Sequence, residues 1–133
     1  MEKVMATLET QIRTALAPKK ALVKRRARGF IKYDYLVPGG PYEELWDWDA
    51  FFIGMSLAAE IPSEGLYLKN CALNYLSQVS ASGFTPGLLT PAGIDKRLKH
   101  VKPFLAQECF FAAQFLNDFS WIQKYWQQLV AAV

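Results

Sequence analysis

The stretch YLVPGGPYEELWDWDAFFIGMSLAAE, Tyr35 to Glu60, decides how this chain is read. Val37-Pro38-Gly39-Gly40-Pro41 makes a rigid turn, and Tyr42, Glu43 and Glu44 form a rim beyond it. A helix then runs from about Leu45 to Glu60, with Trp46-Asp47-Trp48-Asp49 as its first turn. Carboxylates suit that turn, because helix N-termini leave N–H groups unpaired and carry partial positive charge. Helix formation explains the two indoles less well, since Trp is a middling helix former. Flat apolar faces alternating with short acceptors suit a sugar site: rings stack on sugar C–H faces, and each carboxylate accepts from two hydroxyls. A capped helix with core tryptophans is the alternative, and these residues alone leave both open.

Working outward, the helix is apolar almost all the way round after its first turn, through Phe51, Phe52, Ile53, Met55, Leu57 and Ala58, which predicts burial on every side. Pro62 and Gly65 stop it. The next helix, about Leu66 to Ser82, sets Leu68, Cys71, Ala72, Tyr75, Leu76 and Val79 against Lys69, Asn70, Asn74, Ser77 and Gln78, an inward and an outward face. The pattern then repeats. Pro103 to about Asn117 is apolar around most of its circumference, whereas 118–132 gathers Trp121, Ile122, Tyr125, Trp126, Leu129 and Val130 on one side. A buried helix followed by an outer helix, twice over, is what a double ring of helices produces.

Between the pairs, Gly83, Pro86, Gly87, Pro91 and Gly93 exclude long regular structure from residues 83–102, and Phe84, Leu88 and Leu89 predict a packed loop. In a helical ring that loop shares a rim with the Pro38–Glu44 turn, so the two define a mouth. Upstream, Val4, Leu8, Ile12 and Leu16 recur at steps of four over residues 2–16, an amphipathic helix. Pro18 interrupts it, a second short helix is expected to about Arg28, and Gly29 to Tyr35 reads as extended. The expected fold class is all-α. Residues 1–133 form one domain portion, with N-terminal helices over 1–28 and hairpins over 29–133.

The apolar share, 52% with 14% aromatic, is rich for 133 residues and predicts surface that packs on further chain. A net charge of +3 implies no polyanion partner. The local run Lys19, Lys20, Lys24, Arg25, Arg26 and Arg28 reads as a solvated helix face, with no RNA-reading motif beside it. Cys71 and Cys109 lie far apart in apolar surroundings and read as small buried hydrophobes in a reducing compartment. His100 is the only histidine, which sets aside a Ser-His-Asp triad or a His-rich zinc site; no metal or cofactor is expected. Glu2 and Glu9 stand where a signal peptide would need an apolar run, and Ala50 to Ala59 is too short to span a bilayer. The expected setting is therefore the cytoplasm, away from membranes.

Pro38-Gly39-Gly40, then Leu45-Trp46-Asp47-Trp48-Asp49-Ala50-Phe51-Phe52, then Lys102-Pro103-Phe104-Leu105-Ala106-Gln107, resembles the opening of an (α/α)6-barrel glycoside hydrolase. The nearest likeness is to glycoside hydrolase family 63 and its mannosylglycerate hydrolase-like members, with the family 37 trehalases more distant. The resemblance covers about residue 25 to the C-terminus. It implies an incomplete (α/α)6 toroid of about two helical hairpins after an N-terminal helical segment. It also implies that Tyr42, Trp46, Trp48 and Asp49 line a sugar subsite and that Gln107 reaches the substrate from the second inner helix. The activity implied is inverting hydrolysis of a small α-glycoside such as mannosyl- or glucosylglycerate. The general acid and general base of such enzymes would fall beyond Val133, so the chain alone is expected to be inactive.

The residues present give no substitute pair. Inversion needs two carboxyl groups about 6.5–9.5 Å apart with a water between them. Asp47 and Asp49 are two apart on a helix and diverge by about 200°. Glu43 and Glu44 are adjacent on a turn. Glu108 is the better-placed single carboxyl, yet its expected role is a solvated or salt-bridged helix residue. Lys96, Arg97, Lys99, His100 and Lys102 cluster late in the long loop. Their simplest role is to keep that loop soluble; Arg97 is the candidate to grip a substrate carboxylate through its bidentate fork. The alternative to an enzyme portion is a non-catalytic αα-hairpin module for a protein or carbohydrate partner, including a lectin-like remnant. No repeat period of roughly 33 or 34 residues supports it, and the apolar ending Leu129-Val130-Ala131-Ala132-Val133 reads as truncation. Uncovered apolar helix faces would also favour self-association.

Overall fold

A computed structural model describes residues 1–95, 97 and 99–133, with residues 2 and 3 described in their backbone only. Helix α1, Glu2–Leu16, carries the expected stripe of Val4, Met5, Leu8, Ile12 and Leu16, but every one of these side chains is exposed. Pro18 ends it, as its missing N–H and fixed φ require. The second α-helix expected up to Arg28 is absent. A 3-10 segment, Ala17–Val23, gives way at Lys24 (φ −95°, ψ 135°) to a short strand β1, Lys24–Arg25. β1 pairs antiparallel with β2, Tyr35–Leu36, matching Lys24 to Leu36 and Arg25 to Tyr35.

The basic run does not form an open helical face. Lys20 pairs with Glu60, Lys24 with Glu64 at 2.6 Å, Arg25 with Glu43 at 3.2 Å, and Arg28 with Glu43 at 3.3 Å. Between β1 and β2 the chain turns tightly at Gly29, where φ is +57° and a Cβ would sit 2.2 Å from the Pro91 carbonyl oxygen. Only glycine fits both demands.

Three helices hold the core: α2, Asp47–Glu60; α3, Gly65–Leu76; and α4, Leu105–Leu116. Their burial inverts part of the expected pattern. α3, read as an outer amphipathic helix, is buried at every residue from Cys71 to Leu76. α2 and α4 flank it, and residues 31–37 cover the side that Asn74 was expected to turn to water. Asn74 is instead a core residue: its side-chain oxygen accepts from the N–H groups of Lys32 (3.0 Å) and Tyr33 (3.1 Å), and its amide donates to the Tyr33 carbonyl (3.1 Å). A buried amide is tolerated there because it completes a non-helical backbone. α2 and α4, read as buried on all sides, are covered on one face only. Ala50, Phe51, Gly54, Leu57 and Ala58 of α2 point inward, while Phe52 stays 55% exposed; Phe110 of α4 is 50% exposed.

The chain is mostly helical without being purely so. Leu45 and Trp46, expected in the first turn of α2, form strand β3, and Trp46 stands just outside the helix with φ −97° and ψ 133°. β3 pairs with β4, Leu88–Thr90, which hairpins into β5, Gly93–Ile94. The loop over 83–102 therefore contains a small sheet, closed by the Thr90 hydroxyl, which donates to the Gly93 carbonyl at 2.9 Å. The last segment is broken at Tyr125 into α5, Ser120–Lys124, and α6, Trp126–Ala132. Trp121 and Leu129 face the core, but Trp126 and Val130, expected on the same side, are exposed. Cys71 and Cys109 are free and buried, with burial raising both thiols. No described helix is long and apolar enough to cross a membrane.

Candidate functional site

The end of β3 and the first turn of α2 present Trp46, Asp47, Trp48 and Asp49 in succession. Extended geometry at Trp46 and helical geometry at Asp47 turn the two indoles apart. Trp46 leans toward the hairpin, its ring 5.6 Å from the Arg97 guanidinium carbon. Trp48 is half exposed, and the Lys102 ammonium stands 4.8 Å from its ring centroid. The two rings therefore meet different cations.

Asp47 is the hinge of the arrangement. It is 4% exposed, and its carboxylate accepts three hydrogen bonds: from the Lys102 backbone N–H (2.7 Å), the Lys102 ammonium (3.1 Å) and the Trp48 N–H (2.8 Å). Its own N–H donates to the Gly87 carbonyl at 3.1 Å. Gly87 must be glycine for this approach, since a Cβ there would lie 2.8 Å from an Asp47 oxygen. A second clamp lies beside it. Phe104, at the N-terminal boundary of α4, stacks on Phe51 of α2 with centroids 5.1 Å apart and planes at 10°. Together they pin the N-terminal ends of α2 and α4 side by side.

Gln107, in the first turn of α4, is exposed. Lys102, Pro103, Ala106, Gln107, Phe110 and Phe111 border a concavity of about 670 Å3, large enough for a small ligand. The hollow bordered by Trp46, Asp47, Gly87, Asp95, Arg97 and Lys102 holds about 40 Å3, room for a water but not a sugar ring. Arg97 does not offer its fork: Nε and Nη2 donate to the two Asp95 oxygens at 2.7 and 3.3 Å, which lowers the Asp95 carboxyl below its ordinary range. Asp49 is half-buried, and its carboxylate makes no hydrogen bond or ion pair among the described residues. Tyr42 is exposed on the turn, where its carbonyl accepts from Arg25 (3.0 Å), and it borders neither hollow. His100 Nδ1 accepts from the Thr85 N–H at 3.1 Å, a loop-fixing role. Lys96 lies outside the described residues.

Lys102 thus touches both neighbourhoods: its ammonium stands over Trp48, and it borders the concavity that Gln107 helps to line, though Trp48 itself does not border that concavity. Trp46 and Arg97 form a separate, filled corner, and Tyr42 stays apart. Two participants have surroundings that the residue pattern did not show. Lys102 was one cation among five. Glu108 was read as solvated or paired, yet it is 2% exposed and its Oε1 has no hydrogen-bond partner. Its position was legible in principle: Leu105, Glu108 and Ala112 fall at i, i+3 and i+7, so the carboxyl lies within the apolar stripe of α4. Burial, and then the nearby Asp47 charge, raises the Glu108 carboxyl well above its ordinary value. Among the described residues no group of three or more His, Cys, Asp or Glu is placed to hold a metal ion. Set against family models, curated proteins and solved structures, the chain finds no match in any of the three.

Proposed function

We propose that this chain is the opening portion of an inverting (α/α)6-toroid glycoside hydrolase, carrying part of a sugar subsite and neither the catalytic acid nor the base. The observation that carries the reading is the juxtaposed N-terminal ends of α2 and α4. There the Lys102 ammonium stands over the half-exposed Trp48 indole, and Lys102 also borders the concavity that Gln107 helps to line. An aromatic face with polar donors and acceptors beside it is what recognises a pyranose ring. The half-exposed rings of Phe52 and Phe110 support the toroid, because they lie on the two helices that such a ring would place inside. The substrate class is a small α-glycoside of the mannosyl- or glucosylglycerate kind, with Trp48 as stacking platform and Asp49 and Gln107 as hydroxyl partners.

The test is a two-dimensional NMR titration of the chain with mannosylglycerate and methyl α-mannoside at roughly 50 mM, a concentration suited to millimolar affinity. The Trp48 indole N–H and the Gln107 amide should shift together. Unmoved signals at both positions would sink the reading. A second reading, a non-catalytic helical binding module, is favoured by the exposed apolar stripe of α1 and by Trp126 and Val130 on α6. It predicts that a protein partner, and no sugar, perturbs those residues.

A further inference from the structure

Helix α1 lines an open groove of about 800 Å3 with Met5, Leu8, Ile12 and Leu16, and Lys20 and Glu60 complete its border. A second hollow of about 420 Å3 shares Leu16, Lys20 and Glu60 and continues the surface to Phe52 of α2. The stripe is open along its length, from 48% exposed at Leu8 to 71% at Val4. α1 rests mainly on the 3-10 segment that follows it. A helix of about 15 residues is marginal in water without a packing partner. Its apolar side chains form an unbroken i, i+4 row, Val4, Leu8, Ile12 and Leu16. Such a row packs best into a like row, with the helices crossing at about −50°. The charges at the groove are balanced: Arg13 pairs with Glu9 at 2.8 Å and with Glu60 at 3.7 Å, and Lys20 also reaches Glu60. The sequence of α1 carries Glu2, Lys3, Glu9 and Arg13, no net charge, and no Trp or Phe. A surface of that kind does not repel its own copy, and it lacks the cationic face and aromatic anchors of a helix that lies on lipid.

We propose that α1 is a dimerisation helix, and that its groove takes the α1 of a second copy of this chain. The two rows cross about a two-fold axis with Leu8 and Ile12 at the crossing. Val4 and Met5 of one copy then lie toward Leu16 and Phe52 of the other. The exposed parts of Val4, Met5, Leu8, Ile12, Leu16 and Phe52 come to roughly 600 Å2 per copy, so a pair removes about 1,200 Å2, the lower bound of a specific interface. The same patch serves both copies, so the contact closes at two. Neither Trp48 nor Gln107 borders the groove, and the pairing therefore does not rest on the sugar reading.

Analytical ultracentrifugation of the full chain over roughly 1–500 µM reads the mass directly. It should pass from 15.1 kDa to twice that value, with a midpoint of about 10–100 µM for an interface at the small end of the range. Leu8→Ala combined with Ile12→Ala removes the crossing residues and keeps α1 helical, alanine being the best helix former. That variant should dimerise at least about tenfold more weakly, since each symmetric contact is lost twice. Trp126→Ala, on the separate exposed face of α6, should leave the midpoint where it is. A chain still at 15.1 kDa at the top of the range overturns the proposal, as does growth past two copies. So does a midpoint unchanged in the double variant or abolished by Trp126→Ala. Co-sedimentation of the monomer with phosphatidylserine vesicles in place of pairing would assign the stripe to a lipid surface and overturn it as well.

Discussion

Replacing Asp47 by Asn keeps the shape of the side chain and removes one acceptor and the charge. The native carboxylate serves Lys102 N–H with one oxygen and both Trp48 N–H and the Lys102 ammonium with the other. An amide has one oxygen to give. If it stays with Trp48 and the ammonium, its NH2 faces the Lys102 N–H, a donor against a donor where 2.7 Å separated the bonded pair. The lost charge-assisted bond is worth about 1.5–3 kcal/mol, and the stranded N–H adds about 1–3. The ammonium pair itself contributes under about 1 kcal/mol, because its Lys102 end is partly exposed and screened by solvent. Removing the Asp47 charge also relieves Glu108, but that charge is the smaller cause of its shift, after burial. Before the smaller relief at Glu108 these terms sum to about 2.5–6 kcal/mol, so a loss of at least about 2 kcal/mol is expected, or roughly 10 °C or more in melting temperature for a domain of this size. Thermal denaturation followed by far-ultraviolet circular dichroism measures it. A loss below about 1 kcal/mol would show that Asp47 does not clamp α2 to the 99–102 segment.

Three further outcomes follow from the same geometry. Asn74→Ala strands two N–H groups and a carbonyl between residues 32 and 33, so urea denaturation should show a loss of about 2–4 kcal/mol. Trp121→Ala should cost about 3–5 kcal/mol and Trp48→Ala about 1–2, because the first ring is buried and the second half exposed; equal costs would place Trp48 in the core. Glu108 binds its proton more tightly folded than unfolded. Its contribution is therefore fully present below the ordinary value of 4.5 and is lost as pH rises toward the folded value, at up to about 1.4 kcal/mol per pH unit. Glu108→Gln should flatten that slope below pH 9, before the two buried thiols reach their own ordinary value and add slopes of the same sign. A slope unchanged in the variant would mean another group supplies it.

Helix existence was legible because periodicity and punctuation agree: Pro18, Pro62 and Gly65 stand where regular helices end or begin. Burial was less so. Amphipathicity marks which face prefers the interior, whereas the number of elements packed around a helix decides how much of it is covered. α3 has polar residues and is buried because α2, α4 and residues 31–37 surround it; α2 is apolar all round and open on the side where nothing packs. The β3–β4–β5 sheet escaped because two- and three-residue strands have no period to read. At the site, the indoles and acids were legible as consecutive residues opening α2, but their division was hidden at one peptide. Trp46 is extended and Asp47 helical, and that change of backbone sends the rings to different neighbours.

The same peptide explains why Asp47 is buried among donors while Glu108 is buried without them. Ending β3 at Trp46 sets Asp47 at the first position of α2, level with the stacked Phe51–Phe104 rings that align the start of α4. Glu108 lies one turn further on, its N–H bonded to the Phe104 carbonyl at 2.7 Å. Shifting α2 to begin one residue earlier would rotate Asp47 by about 100°, away from Lys102 and out of the core. The aromatic stack fixes that register, and the register brings one acid to its three donors while leaving the other with none. Phe104→Ala should therefore disturb more than packing. It loses the stack and should let the Lys102 N–H exchange with solvent faster than the core amides of α3, a contrast that simple global destabilisation would not produce.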